Sequence, residues 1–367
     1  MQDKVRVLHI DIDKNWRGGQ RQALYLHEYL LSKNYLSIMV CSENSIMEKR
    51  CKEQLLRYES INYRNELDLI SAVKIGKIVK ANKINIIIAH SSHALSLGLL
   101  VKLLQRSVKL IAVRRVDFKI QNNILSKWKY KTDYLNKIVC VSNYIKSVMT
   151  IAKKIEEKLM TIRDCIDVKR INDSQFDETL KKKLNIQSSE IIIGTVAAFV
   201  GHKDYPTFIK AASIVVEKYP NTIFVCVGEG KLKNDMIELS KELNVYEKFR
   251  FVGFTDDVIS YLKIFDIFVL SSKREGLGSS ILDAQAVGLP IIASRTGGIP
   301  ELIVDGTTGL LVEPKNPKKL SEAILRLIFN KEGRNFLAKN AKENVNEYDI
   351  GNYGKNYLEL FAELLNE

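Results

Sequence analysis

The chain has 367 residues, 46% of them hydrophobic and 27% charged, values of a soluble globular protein that is long for one domain and comfortable for two. Its five cysteines (Cys41, Cys51, Cys140, Cys165, Cys226) are scattered and odd in number with no C-x-x-C pair, which argues against a disulfide or zinc framework and for a reduced cytoplasm. The formal net charge of +13 is uneven: residues 1–170 carry 32 Lys and Arg against 16 Asp and Glu, the rest 24 against 27. A basic excess confined to one half attracts a polyanion, a phosphorylated acceptor or an anionic membrane surface.

In chain order, "MQDKVRVLHIDID" reaches acidic residues after a very short apolar run and reads as a first strand, over 5–10, and not as a signal peptide. A helix is predicted over 21–32, a strand over 37–41, a helix over 69–80 and a buried strand over 84–89. The apolar run 96–104 contains Lys102 and is far too short to span a bilayer; strands follow at 108–113 and 137–141. After a polar stretch at 173–189 the rhythm restarts, with strands at 191–196, 222–227, 249–254, 267–270, 290–293 and 309–312 and helices at 205–218, 231–243 and 279–287. All six prolines fall in this second half. β-Branched runs alternating with helices predict two doubly wound α/β lobes, 1–168 and 169–350, and a terminal helix, 351–367, free to pack on either.

The stretch "DIFVLSSKREGLGSSILDAQAV" reads as strand, exit loop and helix. Ligands of open α/β sheets bind beyond the carboxyl ends of strands, and a helix start offers free N–H groups to a phosphate. Gly276 and Gly278 let backbone approach a ligand, and Glu275 can accept hydrogen bonds from sugar hydroxyls. Asp283 is open to two readings. Ser280-x-x-Asp283 has the spacing of a capping box, or Asp283 faces another part of the ligand.

The run "EGLGSSILDAQAVGLPIIASRTGGIPELIVDGTTGLLV" resembles the donor-binding signature of the family 4 glycosyltransferases, retaining enzymes of the GT-B fold with two Rossmann-like lobes and a cleft between them. The matching positions are Glu275, Gly288-Leu289-Pro290, Gly297-Gly298, Glu301 and Asp305-Gly306-Thr307-Thr308-Gly309. "VGEG", "FVGFTDDV" and "DIFVLSS" follow in family order; "RGGQRQ", "IIIAHSSHA", "RRVDF" and "VCVSNYI" match more loosely in the first half. The resemblance implies that Glu275 holds donor-sugar hydroxyls and that Arg274, Leu277, Gly278, Ser279, Gly253 and Phe254 line the nucleotide-sugar site. Asp283 stands where the family has a longer acid that grips the ribose. Lys203 matches the lysine that neutralises the diphosphate; the arginine the family places five or six positions earlier is replaced by Ala198 and Ala197. Gly18 and Gly19 match a first-lobe glycine loop, and His90 a histidine that contacts the sugar near its reacting carbon, with His93 a weaker candidate.

Asp11-Ile12-Asp13 has the spacing of a metal-diphosphate motif but ends a first strand, so Asp11 and Asp13 are read as loop or acceptor residues, with no metal expected and no cofactor beyond the co-substrate, a UDP-sugar. The expected partners are a nucleotide sugar, a glycan or lipid-linked anionic acceptor of the bacterial envelope, and an anionic membrane surface at which a cytoplasmic enzyme sits peripherally. "VKLLQRSVKL" is predicted to place Leu103, Leu104 and Val108 on one helix face beside Lys102, Arg106 and Lys109, and Trp128 and Tyr130 lie among lysines in "SKWKYK". A soluble small-molecule acceptor, another GT-B enzyme such as a nucleotide-sugar epimerase, and a basic nucleic-acid-binding protein are the alternatives, the last disfavoured because only "SKWKYK" interleaves aromatics with lysines.

Overall fold

The computed structural model describes residues 5–117, 124–150, 155–175, 177 and 179–366. The chain divides into two units, Met1–Cys165 with Ile350–Glu367, and Ile166–Asp349.

In the first unit, strands β1 (Arg6–Asp11), β2 (Leu36–Ser42), β3 (Tyr58–Ile61), β4 (Ile86–Ala89), β5 (Lys109–Arg114), β6 (Lys137–Cys140) and β7 (Leu159–Thr161) form a parallel sheet in the order β3-β2-β1-β4-β5-β6-β7. Parallel neighbours need crossovers, and helices Gly18–Ser32, Ile46–Glu53, Leu69–Ala81 and Ser92–Leu104 supply the first four. All four residues of β4 are buried, which is why "INIIIA" carries no polar alternation. The two strands that sequence patterning misses, β3 and β7, are the sheet's edges. An edge strand covers fewer apolar side chains, and "YESI" shows it.

In the second unit, β8 (Ile191–Val196), β9 (Thr222–Val227), β10 (Phe249–Gly253), β11 (Ile267–Leu270), β12 (Ile291–Ser294) and β13 (Leu310–Val312) form a parallel sheet in the order β10-β9-β8-β11-β12-β13. Helix Tyr205–Lys218 packs on it through Phe208, whose ring meets those of Phe224 and Phe249 edge-on at centroid distances of 5.7 and 6.2 Å.

The terminal helix takes the first of the two lobes left open to it, and two expectations are corrected. The terminal helix starts at Ile350, after a 3-10 turn at Val345–Tyr348, and it packs on helix Gly18–Ser32 of the first unit: Gly354 lies against the Tyr29 ring so closely that a Cβ there would come within 2.1 Å of it. The basic-apolar helix face in "VKLLQRSVKL" does not exist. The helix stops at Leu104, Val108 is buried, and Lys109 opens β5. Lys102 is itself buried, donating from Nζ to the Arg106 carbonyl at 2.9 Å and to the Val108 carbonyl, so it satisfies the carbonyls of the turn. In "SKWKYK" Trp128 and Lys131 are the exposed side chains among those described; Tyr130 is buried, and buried Lys129 pairs with Glu66 at 2.7 Å. The side chains of Ser126 and Lys127, and Phe118 of "RRVDF", lie outside the described residues.

Candidate active site

Both sheets reverse their strand order once, between β1 and β4 and between β8 and β11. Such switch points open a crevice at the carboxyl ends of the flanking strands. In the second unit the loop after β8 carries Lys203 and the loop after β11 carries Glu275. In the first unit β1 ends at Asp11 ahead of Gly18 and Gly19, and His90 follows β4 directly.

In the second unit, Lys203 Nζ donates to both carboxylate oxygens of Glu275, at 2.8 and 2.7 Å. The two side chains are only 15% and 11% exposed, so neither is a solvated loop residue and each is the other's counterion. Backbone bonds fix the loops that carry them. Lys273 N–H donates to the His202 carbonyl at 2.9 Å, and the Ser271 hydroxyl donates to the carbonyls of Lys203 and Asp204, both at 3.2 Å. The Gly297-Gly298 loop closes the other side. Gly298 N–H donates to the Glu275 carbonyl at 3.2 Å, and at Gly297 (φ +57°) a Cβ would lie 1.9 Å from that oxygen.

Helix Ser279–Val287 starts beside this pair. Gly278 is its N-cap at φ 94°, a left-handed conformation that suits glycine, and no side chain caps the helix. The capping-box reading of Asp283 therefore fails; Asp283 lies within the helix, 3% exposed. Leu277 is buried, Ser279 partly so, and Arg274 exposed. Gly253 is tied by backbone to the exit of β8: its carbonyl accepts the Gly228 N–H at 2.8 Å, and Gly228 lies against the carbonyl of Ala197, the residue after β8. Phe254 beside it is half exposed. Positions 197 and 198 hold alanine, and a second cation stands near Gly253, where Lys233 pairs with Glu229 at 3.0 Å. Asp305 of the "DGTTG" turn has a local duty, accepting the Leu311 N–H at 2.9 Å and pairing with Arg295.

In the first unit, helix Gly18–Ser32 begins at Gly18 with Arg17 as N-cap and no side-chain cap. Gly19 approaches the Arg115 side chain, whose guanidinium pairs with buried Asp164. Asp11 belongs to β1 and is fully buried, not a loop residue. Burial, and then the neighbouring Asp13, push its carboxyl up to about 6. Gln20 Nε2 reaches both acids, at 3.4 Å from Asp11 and 3.2 Å from Asp13. Among the described residues no group of three or more His, Cys, Asp and Glu side chains could hold a metal ion.

His90 is 5% exposed and its Nε2 lies 3.0 Å from His9 Nδ1. Burial holds His90 neutral, its pKa well below the ordinary histidine value, with Arg115 acting in the same direction. His93 points elsewhere, pairing with Glu66 at 2.8 Å. His9 escapes sequence reading because a lone polar residue inside an apolar strand gives no signal of what its neighbours on β2 and β4 supply.

Residues 176–344 match the family described as glycosyl transferases group 1. An uncharacterised glycosyltransferase of Methanocaldococcus jannaschii is 31% identical over 299 residues, covering 79% of this chain and 77% of that protein. The UDP-Gal:alpha-D-GlcNAc-diphosphoundecaprenol alpha-1,3-galactosyltransferase of Escherichia coli is 24% identical over 365 residues, covering 95% and 94%. The crystal structure of Anabaena HepE in complex with UDP-glucose superposes with a TM-score of 0.86 at 16% identity, covering 98% and 99%, and shows the shared two-lobed GT-B fold. By sequence this chain is a member of the group 1 glycosyltransferases.

Proposed function

We propose that the protein is a retaining, metal-independent glycosyltransferase that moves a sugar from a nucleoside diphosphate, UDP by preference, to an anionic or lipid-linked glycan of the bacterial envelope. The observation that carries this reading is the Lys203–Glu275 pair at the switch point of the second unit, beside an uncapped helix start. When a donor binds, Lys203 turns part of its charge to the diphosphate and Glu275 accepts from sugar hydroxyls, while the N–H groups following Gly278 face a phosphate. Leu277, Ser279, Asp283, Gly253, Phe254 and Arg274 line the same site, with Asp283 towards the ribose; Gly18, Gly19 and His90 serve from the first unit, His90 against the sugar.

Transfer breaks the bond between the anomeric carbon and the phosphate oxygen, which leaves with the electron pair. The acceptor oxygen bonds to the same face of that carbon, and its proton passes to the departing phosphate oxygen. Charge grows on the leaving group as this happens, which is where a fixed lysine and a helix start act. Support for UDP and a lipid-linked acceptor comes from what the E. coli relative acts on and what HepE binds.

A screen of nucleotide sugars by thermal shift, followed by NMR of the product's anomeric proton, tests the reading. Donor binding without transfer to any glycan would favour an epimerase, and an inverted anomer would refute the retaining course.

The basic first half suits a negatively charged acceptor and the inner face of the cytoplasmic membrane. Among the described residues no helix is long and apolar enough to cross a membrane, so attachment would be peripheral. Exposed Leu69, Ile70 and Val73 on helix Leu69–Ala81, with Leu103, Leu104 and Trp128, are apolar side chains available for it. Sedimentation with anionic vesicles, falling with salt and absent on neutral lipid, is the expected result; no binding at low salt would favour a soluble acceptor.

A further inference from the structure

Among the described residues the charged ends of Lys203 and Glu275 are hydrogen-bonded to each other alone, Nζ donating to the two carboxylate oxygens at 2.8 and 2.7 Å. With the side chains 15% and 11% exposed, water has little access to replace either partner. Each end of the pair is also the end that a donor needs, the ammonium for the diphosphate and the carboxylate for the sugar. We propose that Glu275 and the diphosphate compete for Lys203, so that the site prefers an intact nucleotide sugar to the bare nucleoside diphosphate, and that Glu275 takes Lys203 back once the sugar has gone. The inference rests on the reading of this pair as the donor site.

A ligand shifts such an arrangement only by the difference between the contacts it makes and those it breaks. A bare nucleoside diphosphate brings anionic oxygens, which accept hydrogen bonds and do not donate them. Drawing Lys203 towards them leaves Glu275 as a largely buried carboxylate without a counterion and beside further negative charge. A nucleotide sugar brings the same diphosphate together with hydroxyl groups. Those hydroxyls donate to Glu275 in place of the ammonium, as charge-assisted hydrogen bonds. The carboxylate is compensated by one ligand and stranded by the other.

The loops that carry the pair are tied, which confines the exchange to side chains. Lys273 N–H donates to the His202 carbonyl at 2.9 Å, and the Ser271 hydroxyl donates to the carbonyls of Lys203 and Asp204. On the other side Gly297 packs so closely on the Glu275 carbonyl that a Cβ there would lie 1.9 Å from its oxygen. Glu275 therefore has no free backbone movement by which to follow Lys203. After transfer the sugar departs with the acceptor, the carboxylate has lost its hydroxyl donors, and its attraction for Lys203 returns. The hold on the diphosphate weakens at the step where product must leave.

The test is calorimetry of the full-length protein with UDP, uridine and the UDP-sugar that the screen selects, on wild type and Glu275→Gln. Glutamine keeps the shape of the side chain and gives up the charge that holds Lys203. We expect the variant to bind UDP about tenfold more tightly than wild type and uridine equally, with the affinity ratio of UDP-sugar to UDP lowered about tenfold or more. Without ligand, its unpaired Lys203 should lower the melting temperature, and added UDP should raise it by more than in wild type. A purely structural role for the pair would lower the melting temperature without tightening UDP. If Glu275→Gln does not fold, Glu275→Ala, which leaves room for water around the ammonium, gives the same comparison. Unchanged or weaker UDP binding in the variant overturns the competition. If Lys203→Ala nevertheless weakens UDP, the donor site stands and this inference alone falls; if neither substitution changes UDP binding, the donor-site reading falls with it.

Discussion

Glu275 and Lys203 are in direct contact, so removing either leaves a largely buried charge without its counterion. Glu275→Gln keeps the shape and loses the charged acceptor. Turnover should fall about 10²-fold while UDP still binds, measured by product formation and calorimetry; near wild-type turnover would remove Glu275 from the site. Lys203→Ala should weaken UDP by about 10- to 100-fold and uridine hardly at all, because only UDP carries the phosphates that the ammonium meets. Equal losses for both ligands would point to a folding defect. The candidate glutamate is singled out in the sequence because it sits in a glycine loop after a buried strand. Its pairing with Lys203 is not legible there. Position 203 lies 72 residues away, and only the adjacency of β8 and β11 brings the two within 2.8 Å.

At the level of elements, two packed clusters make opposite demands. The terminal helix depends on a glycine, because Gly354 leaves room for the Tyr29 ring. Gly354→Ala gains about 1 kcal/mol of helix propensity yet must displace an aromatic ring, which costs more, about 1–3 kcal/mol; the urea midpoint should drop, and Tyr29→Leu should recover part of it. Buried His27 responds to acid. Its pKa is lowered to about 4, so the folded state resists its proton and stability is lost as pH falls from about 6.5 towards 4. Asp11 runs the other way: with its pKa raised to about 6, the fold prefers the acid form and gains stability as pH falls through 6. Asp11→Asn should therefore raise the urea midpoint at pH 8 and steepen its fall on acidification. A variant whose midpoint falls less steeply than wild type between pH 6.5 and 4 would mean Asp11 is charged comfortably in the fold.

At the level of the molecule, the chain crosses between units at two places, Cys165 to Ile166 and Asp349 to Ile350. The second unit is continuous and has its own core, built from residues such as Phe208, Phe224, Val269 and Ile324. A fragment of residues 166–349 should unfold cooperatively and bind UDP, by calorimetry, whereas residues 1–165 alone should be unstable. Adding residues 350–367 as a separate peptide should rescue them. A stable 1–165 fragment would show that the terminal helix contributes little.

Sequence by itself determined the type of nearly every central element, because a buried parallel strand must be apolar on both faces and "IIIGTV", "TIFVCV" and "DIFVL" can be little else. It also carries the contiguous run of glycines, acid and helix start after β11, the arrangement proposed above to meet a phosphate. It missed, misread or left open whatever depends on neighbours distant in the chain. The edge strands β3 and β7, the docking of the last helix, the burial of Lys102 and Tyr130, and the absence of a cap at Asp283 each follow from which surface another segment covers. Strand order decided the rest. Periodicity along a chain says which face of an element is buried, but only the order β3-β2-β1-β4 and β9-β8-β11-β12 says where each sheet reverses. The crevices therefore open where Lys203 can meet Glu275 and His9 can meet His90, because two loops leaving neighbouring strands in opposite directions expose the carboxyl ends between them.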